Sequence, residues 1–127
     1  MKAVRILIAD DDGDYRGIVA KILCSWGYDV EQASNGPETV EAVRQKKCDI
    51  IILDYLMPEM DGVETLKAVR EIDPDIPVIM STAHPDNRSI TGTEKLKVFA
   101  YIPKSSVFTD PKTSLKSAVE MAEKKIA

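Results

Sequence analysis

Two textures of apolar residues alternate along the chain. Short continuous runs predict strands, and residues spaced three and four apart predict helices with one buried stripe. "VRILIA" (4–9) is the first run. From Asp14 to Trp26, the residues Ile18, Val19, Ile22, Leu23 and Trp26 recur at helical spacing, and Gly27 supplies a stop. "YDVEQA" (28–33) alternates like a less buried strand. "SNGPETVEAVRQKK" (34–47) opens on cap-type residues with an early proline and predicts a short helix marked by Val40 and Val43. "DIIILD" (49–54) is the most apolar strand. Val63, Leu66, Val69 and Ile72 trace a third helix, and "IPVIMS" (76–81) a fourth strand. "DNRSITGTEKL" (86–96) predicts a fourth helix, short because two β-branched threonines flank Gly92. "VFAYI" (98–102) is a fifth strand. Leu115, Ala118, Val119, Ala122 and Ile126 stripe a final helix whose end carries Lys124 and Lys125, as the helix dipole favours.

Five strands alternating with helices imply an α/β fold: a parallel sheet covered on both faces. With right-handed crossovers, a doubly wound five-stranded sheet of order 2-1-3-4-5 is expected, flavodoxin-like. Ligands of such sheets bind outside the carboxyl ends of the strands, where the winding reverses between strands 1 and 3. Strand 1 ends in Asp10 and Asp11, with Asp12 next; strand 3 ends in Asp54; strand 4 ends in Ser81 and Thr82; Lys104 follows strand 5.

Composition narrows the class. The chain has 127 residues, suited to a single domain over 1–127, with 44% hydrophobic and 30% charged residues as in a soluble globular protein. A net charge of −4 argues against direct nucleic-acid binding. No apolar run is long enough to span a membrane, and no secretory signal pattern opens the chain, so the expected location is cytoplasmic. Cys24 and Cys48 lack metal spacing, and one histidine makes zinc a poor fit; both thiols are expected to be buried or half-buried.

The residues at the strand ends suggest a chemistry. An apolar run ending on Asp54 buries a charge that needs a partner. Close carboxylates repel unless a cation binds, and a hard divalent ion such as Mg²⁺ suits oxygen ligands that include one or two carboxylates. A carboxylate can attack phosphorus and form an aspartyl phosphate, and that transfer needs positioning and charge neutralisation, which a metal and Lys104 could supply. Plainer roles exist for each residue alone. Asp11, Asp12 or Asp14 could simply cap the first helix, Asp54 could be a loop acid, and Thr82 or Lys104 could be solvated. Four strand ends agreeing is what favours chemistry.

The stretches "ILIADDDGDYR", "DIIILDYLMPEMDGVE", "PVIMSTA" and "AYIPKS" together resemble the receiver domain of bacterial two-component response regulators. The likeness covers essentially the whole chain, and the 2-1-3-4-5 order is itself a receiver's order. The resemblance implies that Asp54 is the phosphoacceptor. It implies an acid pocket of Asp10 and Asp11, with Asp11, Asp54 and the backbone carbonyl of Leu56 ligating Mg²⁺. Thr82 is then the switch hydroxyl, Tyr101 the switch aromatic and Lys104 the phosphate-contacting lysine, with the small Ala83 next to the phosphate. The donor would be a phosphohistidine on a sensor histidine kinase or phosphotransfer protein. Phosphorylation would remodel the face of helix 4, strand 5 and helix 5, towards a downstream protein target or a homodimer. The chain is not expected to be an enzyme.

Several positions depart from the family's habits. Ser105 stands where proline usually follows the lysine, often in a cis bond. Lys97 and Val98 replace a usual Gly-Ala pair. Leu56 and His84, each two residues beyond a functional position, are an unusual combination. The alternatives are a degenerate receiver that only docks, an aspartyl-phosphate phosphohydrolase and a flavin-binding module. The phosphohydrolase would want an aspartate where Leu56 stands. The flavin module would want a hydroxyl- and glycine-rich loop where Asp10 to Asp12 stand.

Overall fold

A computed structural model describes residues 3–55, 57, 60–83 and 96–126. Its elements are β1 (Arg5–Ala9), α1 (Gly13–Ser25), β2 (Asp29–Ala33), α2 (Gly36–Arg44), β3 (Ile50–Asp54), α3 (Gly62–Ile72), β4 (Val78–Thr82), β5 (Ala100–Pro103), a one-turn helix α4 (Ser106–Thr109) and α5 (Ser117–Ile126). A wider π-type turn, Lys112–Lys116, leads into α5. The strands form one parallel sheet in the order β2-β1-β3-β4-β5, as expected.

Each early helix starts on a side chain that satisfies its orphan amides. Asp12 Oδ1 accepts from the amides of Asp14 and Tyr15, Asn35 Oδ1 from that of Glu38, and Asp61 Oδ1 from that of Glu64. Gly27, at φ 94°, ends α1 in a conformation that suits glycine.

Alternation along the strands divides the core into two layers. Ile6 and Ile8, Ile50 and Ile52, Ile79 and Ile102 point to one side and pack with Val19, Leu23, Leu115, Val119 and Ala122. Leu7, Ile51, Leu53, Val78 and Met80 point to the other and pack with Val43, Leu66 and Val69.

The structure also corrects the sequence reading. Ile18 is 40% exposed, so the α1 stripe is narrower than its spacing suggests. Cys24 is exposed, while Cys48 is buried and its thiol is pushed up to about 12 by burial. β4 starts at Val78 because Pro77 has no amide to give to a ladder. α4 was not predicted from its β-branched sequence "SVFT"; burial of Val107 accompanies it. Apart from Leu96, the predicted fourth helix over 86–96 lies outside the described residues.

Candidate functional site

The alternation that builds the first core layer continues past the strand ends. Asp10, Asp54, Ser81 and Lys104 each stand two residues beyond Ile8, Ile52, Ile79 and Ile102. They therefore leave the sheet on one side, at its carboxyl rim. Asp54 and Ser81 are register partners, and both are buried, as is Asp10.

Asp10, Asp11 and Asp54 each offer a carboxylate oxygen, and these atoms lie within 4.8 Å of one another. Opposite ligands of an ion bound at ~2.1 Å would span ~4 Å, so the spacing is close to that of a shared divalent ion. Asp11 is exposed, giving the trio an open side. The donors are all oxygen and carry excess negative charge, which fits a hard cation.

One ammonium faces this group. Lys104 Nζ is 2.7 Å from Asp10 Oδ2 and 3.1 Å from Asp54 Oδ2. With Asp54 it makes a hydrogen bond; with Asp10 Oδ2 it makes an ion pair whose angles fall short of one. Burial pulls the Lys104 pKa down, but the contacts with Asp10 and Asp54 outweigh it and leave it raised. The described peptide bonds include no cis bond. Lys104 thus reaches both carboxylates through a trans Lys104–Ser105 bond.

Neighbouring groups hold the frame. The Asp12 amide donates to Asp10 Oδ1 at 2.9 Å. Arg16 Nη1 donates to the Asp10 carbonyl at 2.7 Å, and Arg16 Nε to Gln32 Oε1, tying α1 to the ends of β1 and β2. The Tyr55 amide donates to the Ser81 carbonyl, and the Gly62 amide to the Tyr55 carbonyl. A Cβ on Gly62 would meet Tyr55 Cα at 2.7 Å and the Asp54 carbonyl at 2.8 Å, so glycine lets α3 start against the end of β3.

Of the other expected residues, Thr82 is the last of β4, with its backbone paired to Pro103. Ala83 follows it and is exposed. Tyr101 lies opposite Met80 and packs half-buried on the second core layer, on the far side of the sheet from Lys104. Leu56 and His84 lie outside the described residues.

Sequence reasoning missed Tyr15, whose buried ring lies under the Lys104 ammonium. It also missed Arg70, which donates to the carbonyls of Leu96, Lys97, Asp73 and Ile76. Lys97 takes φ 58°, a left-handed turn where glycine would be cheaper.

A family model described as the response regulator receiver domain matches residues 6–116. The chain belongs to the response regulator receiver domain family. This receiver is 33% identical over 116 residues to the transcriptional regulatory protein ZraR of Escherichia coli strain K12, covering 91% of the chain and 26% of ZraR. It thus spans about a quarter of the length of that relative. A CheY-like receiver domain protein from Methanospirillum hungatei superposes with a TM-score of 0.88 at 26% identity, over 98% of this chain and 97% of that one. The receiver domain of the Arabidopsis thaliana histidine kinase CKI1, solved with Mg²⁺, shares the fold with a TM-score of 0.81 at 24% identity, over 93% and 90% of the two chains. Among the described residues, no helix is long and apolar enough to cross a membrane.

Proposed function

We propose that this receiver is a phosphorylatable signalling switch with Asp54 as its phosphoacceptor. The observation that carries the reading is the meeting of the buried Asp54 and Asp10 with the exposed Asp11 and with Lys104 at the carboxyl rim. In the transfer, an Asp54 carboxylate oxygen forms a bond to phosphorus. The bond from phosphorus to the donor breaks, and its electron pair leaves with the donor. The donor is a phosphohistidine on a sensor histidine kinase or phosphotransfer protein.

Mg²⁺ would be held by Asp11, Asp54 and the Leu56 carbonyl, with Asp10 acting through water, and would neutralise charge on the phosphoryl oxygens. Lys104, already facing Asp54, supplies a second positive charge to those oxygens. Thr82 would donate to a phosphoryl oxygen, and the small Ala83 would leave room beside it. Tyr101 would then repack on its side of the sheet, changing the face made by residues 86–96, β5 and α5. That face would bind a downstream protein or a second copy of this chain. On this reading the protein is a cytoplasmic switch and not an enzyme.

The test is incubation with Mg²⁺ and acetyl phosphate, beside Asp54→Asn, read by intact mass. One phosphoryl group on the wild type and none on the variant is expected. An equal gain on both would move the acceptor elsewhere. No gain on a folded wild type would leave a docking module in its place.

A further inference from the structure

Lys104 carries three N–H donors and no acceptor. Two of its sides meet carboxylates, at 2.7 Å from Asp10 and 3.1 Å from Asp54. Another side meets a ring: the ammonium lies 4.8 Å from the centroid of Tyr15. That is within the ~6 Å over which a cation is drawn to the negative face of an aromatic ring. Tyr15 is 7% exposed, so the contact is largely shielded from water.

The ring is itself backed. Phe108 packs edge-on against Tyr15, with centroids 5.9 Å apart and planes at 67°. Phe108 sits on α4, four residues after Lys104, and α4 is anchored by the buried Val107. The chain leaves the sheet at Lys104, turns through Ser105 and returns one aromatic ring to brace another. Ser105 cannot stiffen this turn as a proline would. The Phe108–Tyr15 pair gives the lysine a wall, with Tyr15 buried and Phe108, 60% exposed, on its outer side.

We propose that Tyr15 is a positioning residue for Lys104, its ring holding the ammonium between Asp10 and Asp54 where it can meet an incoming phosphoryl group. The inference rests on the reading of Lys104 as the phosphate-contacting lysine. The rival account is that Tyr15 acts through its hydroxyl. Burial raises the pKa of that hydroxyl, while Ser81 and Lys104 lower it. The Ser81 hydroxyl is buried and forms no hydrogen bond of good geometry among the described residues. The two accounts differ in which part of Tyr15 matters.

The experiment compares wild type, Tyr15→Phe and Tyr15→Leu, each also in a Lys104→Met background. The readout is the rate of phosphoryl incorporation from acetyl phosphate with Mg²⁺. Tyr15→Phe keeps the ring and should stay within about twofold of wild type, whereas Tyr15→Leu keeps bulk alone and should be about 3- to 30-fold slower. In the Lys104→Met background, Tyr15→Leu should change little, because the charge the ring holds is gone. Denaturant midpoints of the same variants, taken without a phosphodonor, should show the same coupling between positions 15 and 104.

A Tyr15→Leu rate equal to wild type overturns the inference. So does an equal loss in Tyr15→Phe, which would assign the effect to the hydroxyl. An equal loss in the Lys104→Met background overturns it too, because a merely structural role survives there. A wild type that takes no phosphoryl group sinks the functional reading instead, and the denaturant cycle still decides whether Tyr15 and Lys104 are coupled.

Discussion

The two ends of the sheet carry ion pairs built on opposite plans. At the amino end, Arg5 meets Asp49: Arg5 Nη2 is 3.0 Å from Asp49 Oδ1, and the Arg5 amide and Nε both donate to Asp49 Oδ2. One cation meets one anion, with the side chains 44% and 33% exposed, beside an open cavity of about 620 Å³. At the carboxyl end, one lysine faces three carboxylates, and the side chains of Lys104, Asp10 and Asp54 are 19%, 1% and 5% exposed. The amino-end pair is balanced and wet, and it straps β1 to β3. At the carboxyl end Asp10 and Asp54 are buried while Asp11 keeps an open side, and among the described residues three carboxylates face one ammonium, an imbalance that fits the proposed cation and phosphoryl group. On the proposed function, balance and burial distinguish the scaffold pair from the chemical one, since their distances are alike.

The largest expected effect breaks the carboxyl end. Lys104→Met leaves Asp10 and Asp54 buried without their ammonium and should cost about 3 kcal/mol in metal-free buffer, read from denaturant midpoints. A loss below about 1 kcal/mol would make the two ends alike. Next comes the cation proposed for the acids. Mg²⁺ at a hundredfold excess over its Kd should stabilise the wild type by about 2.7 kcal/mol. Asp11→Asn should remove most of that gain and Arg5→Met none, as a thermal shift series would show.

The amino end should yield less. Arg5→Met should cost no more than about 1 kcal/mol, because the pair is exposed and screened. Hydrogen bonds from Arg5 hold the Asp49 carboxyl below its usual range, against burial. A lowered carboxyl pKa stabilises the fold above the unfolded value of about 3.9 and stops doing so as pH falls through the folded value. The gap between wild type and Arg5→Met should therefore be full at pH 6 and close as the pH drops below about 4. Smallest of all, Lys97→Gly, just ahead of β5, should gain about 0.5 kcal/mol by relieving its left-handed turn, less the entropy glycine adds to the unfolded chain.

The strand–helix alternation and the acid–lysine rim could be read from the sequence because both follow short-range rules, while the sheet order leaned on crossover rules and on the resemblance to receivers. Asp10, Asp54 and Lys104 extend the period of two set by Ile8, Ile52 and Ile102, and strand ends are where such sheets bind. Tyr15 could not be read that way. On α1 it fits a core stripe, and its role depends on a loop bringing Phe108 back from 93 positions later. Arg70 looks like a solvated helix residue, yet its acceptors are backbone carbonyls up to 27 positions away. α4 defeats propensity, since a valine and a threonine in four residues do not announce a helix; the structure has Val107 buried in the first core layer. Ile18 and Cys24 err the other way, because spacing marks a helix face without saying how much of it the neighbours cover.

That alternation also limits how the gene can change length. Adding or deleting one codon between Ile102 and Lys104, or between Ile52 and Asp54, would turn the site residue through the sheet to the side of Leu66 and Val69. Even a two-codon change would move it one step along the strand, away from its neighbours. Beyond Lys104 no such parity applies, yet α4 returns Val107 to the core and Phe108 to Tyr15, so a length change between Lys104 and Phe108 would unseat the ring that backs the lysine while leaving the four rim residues in frame.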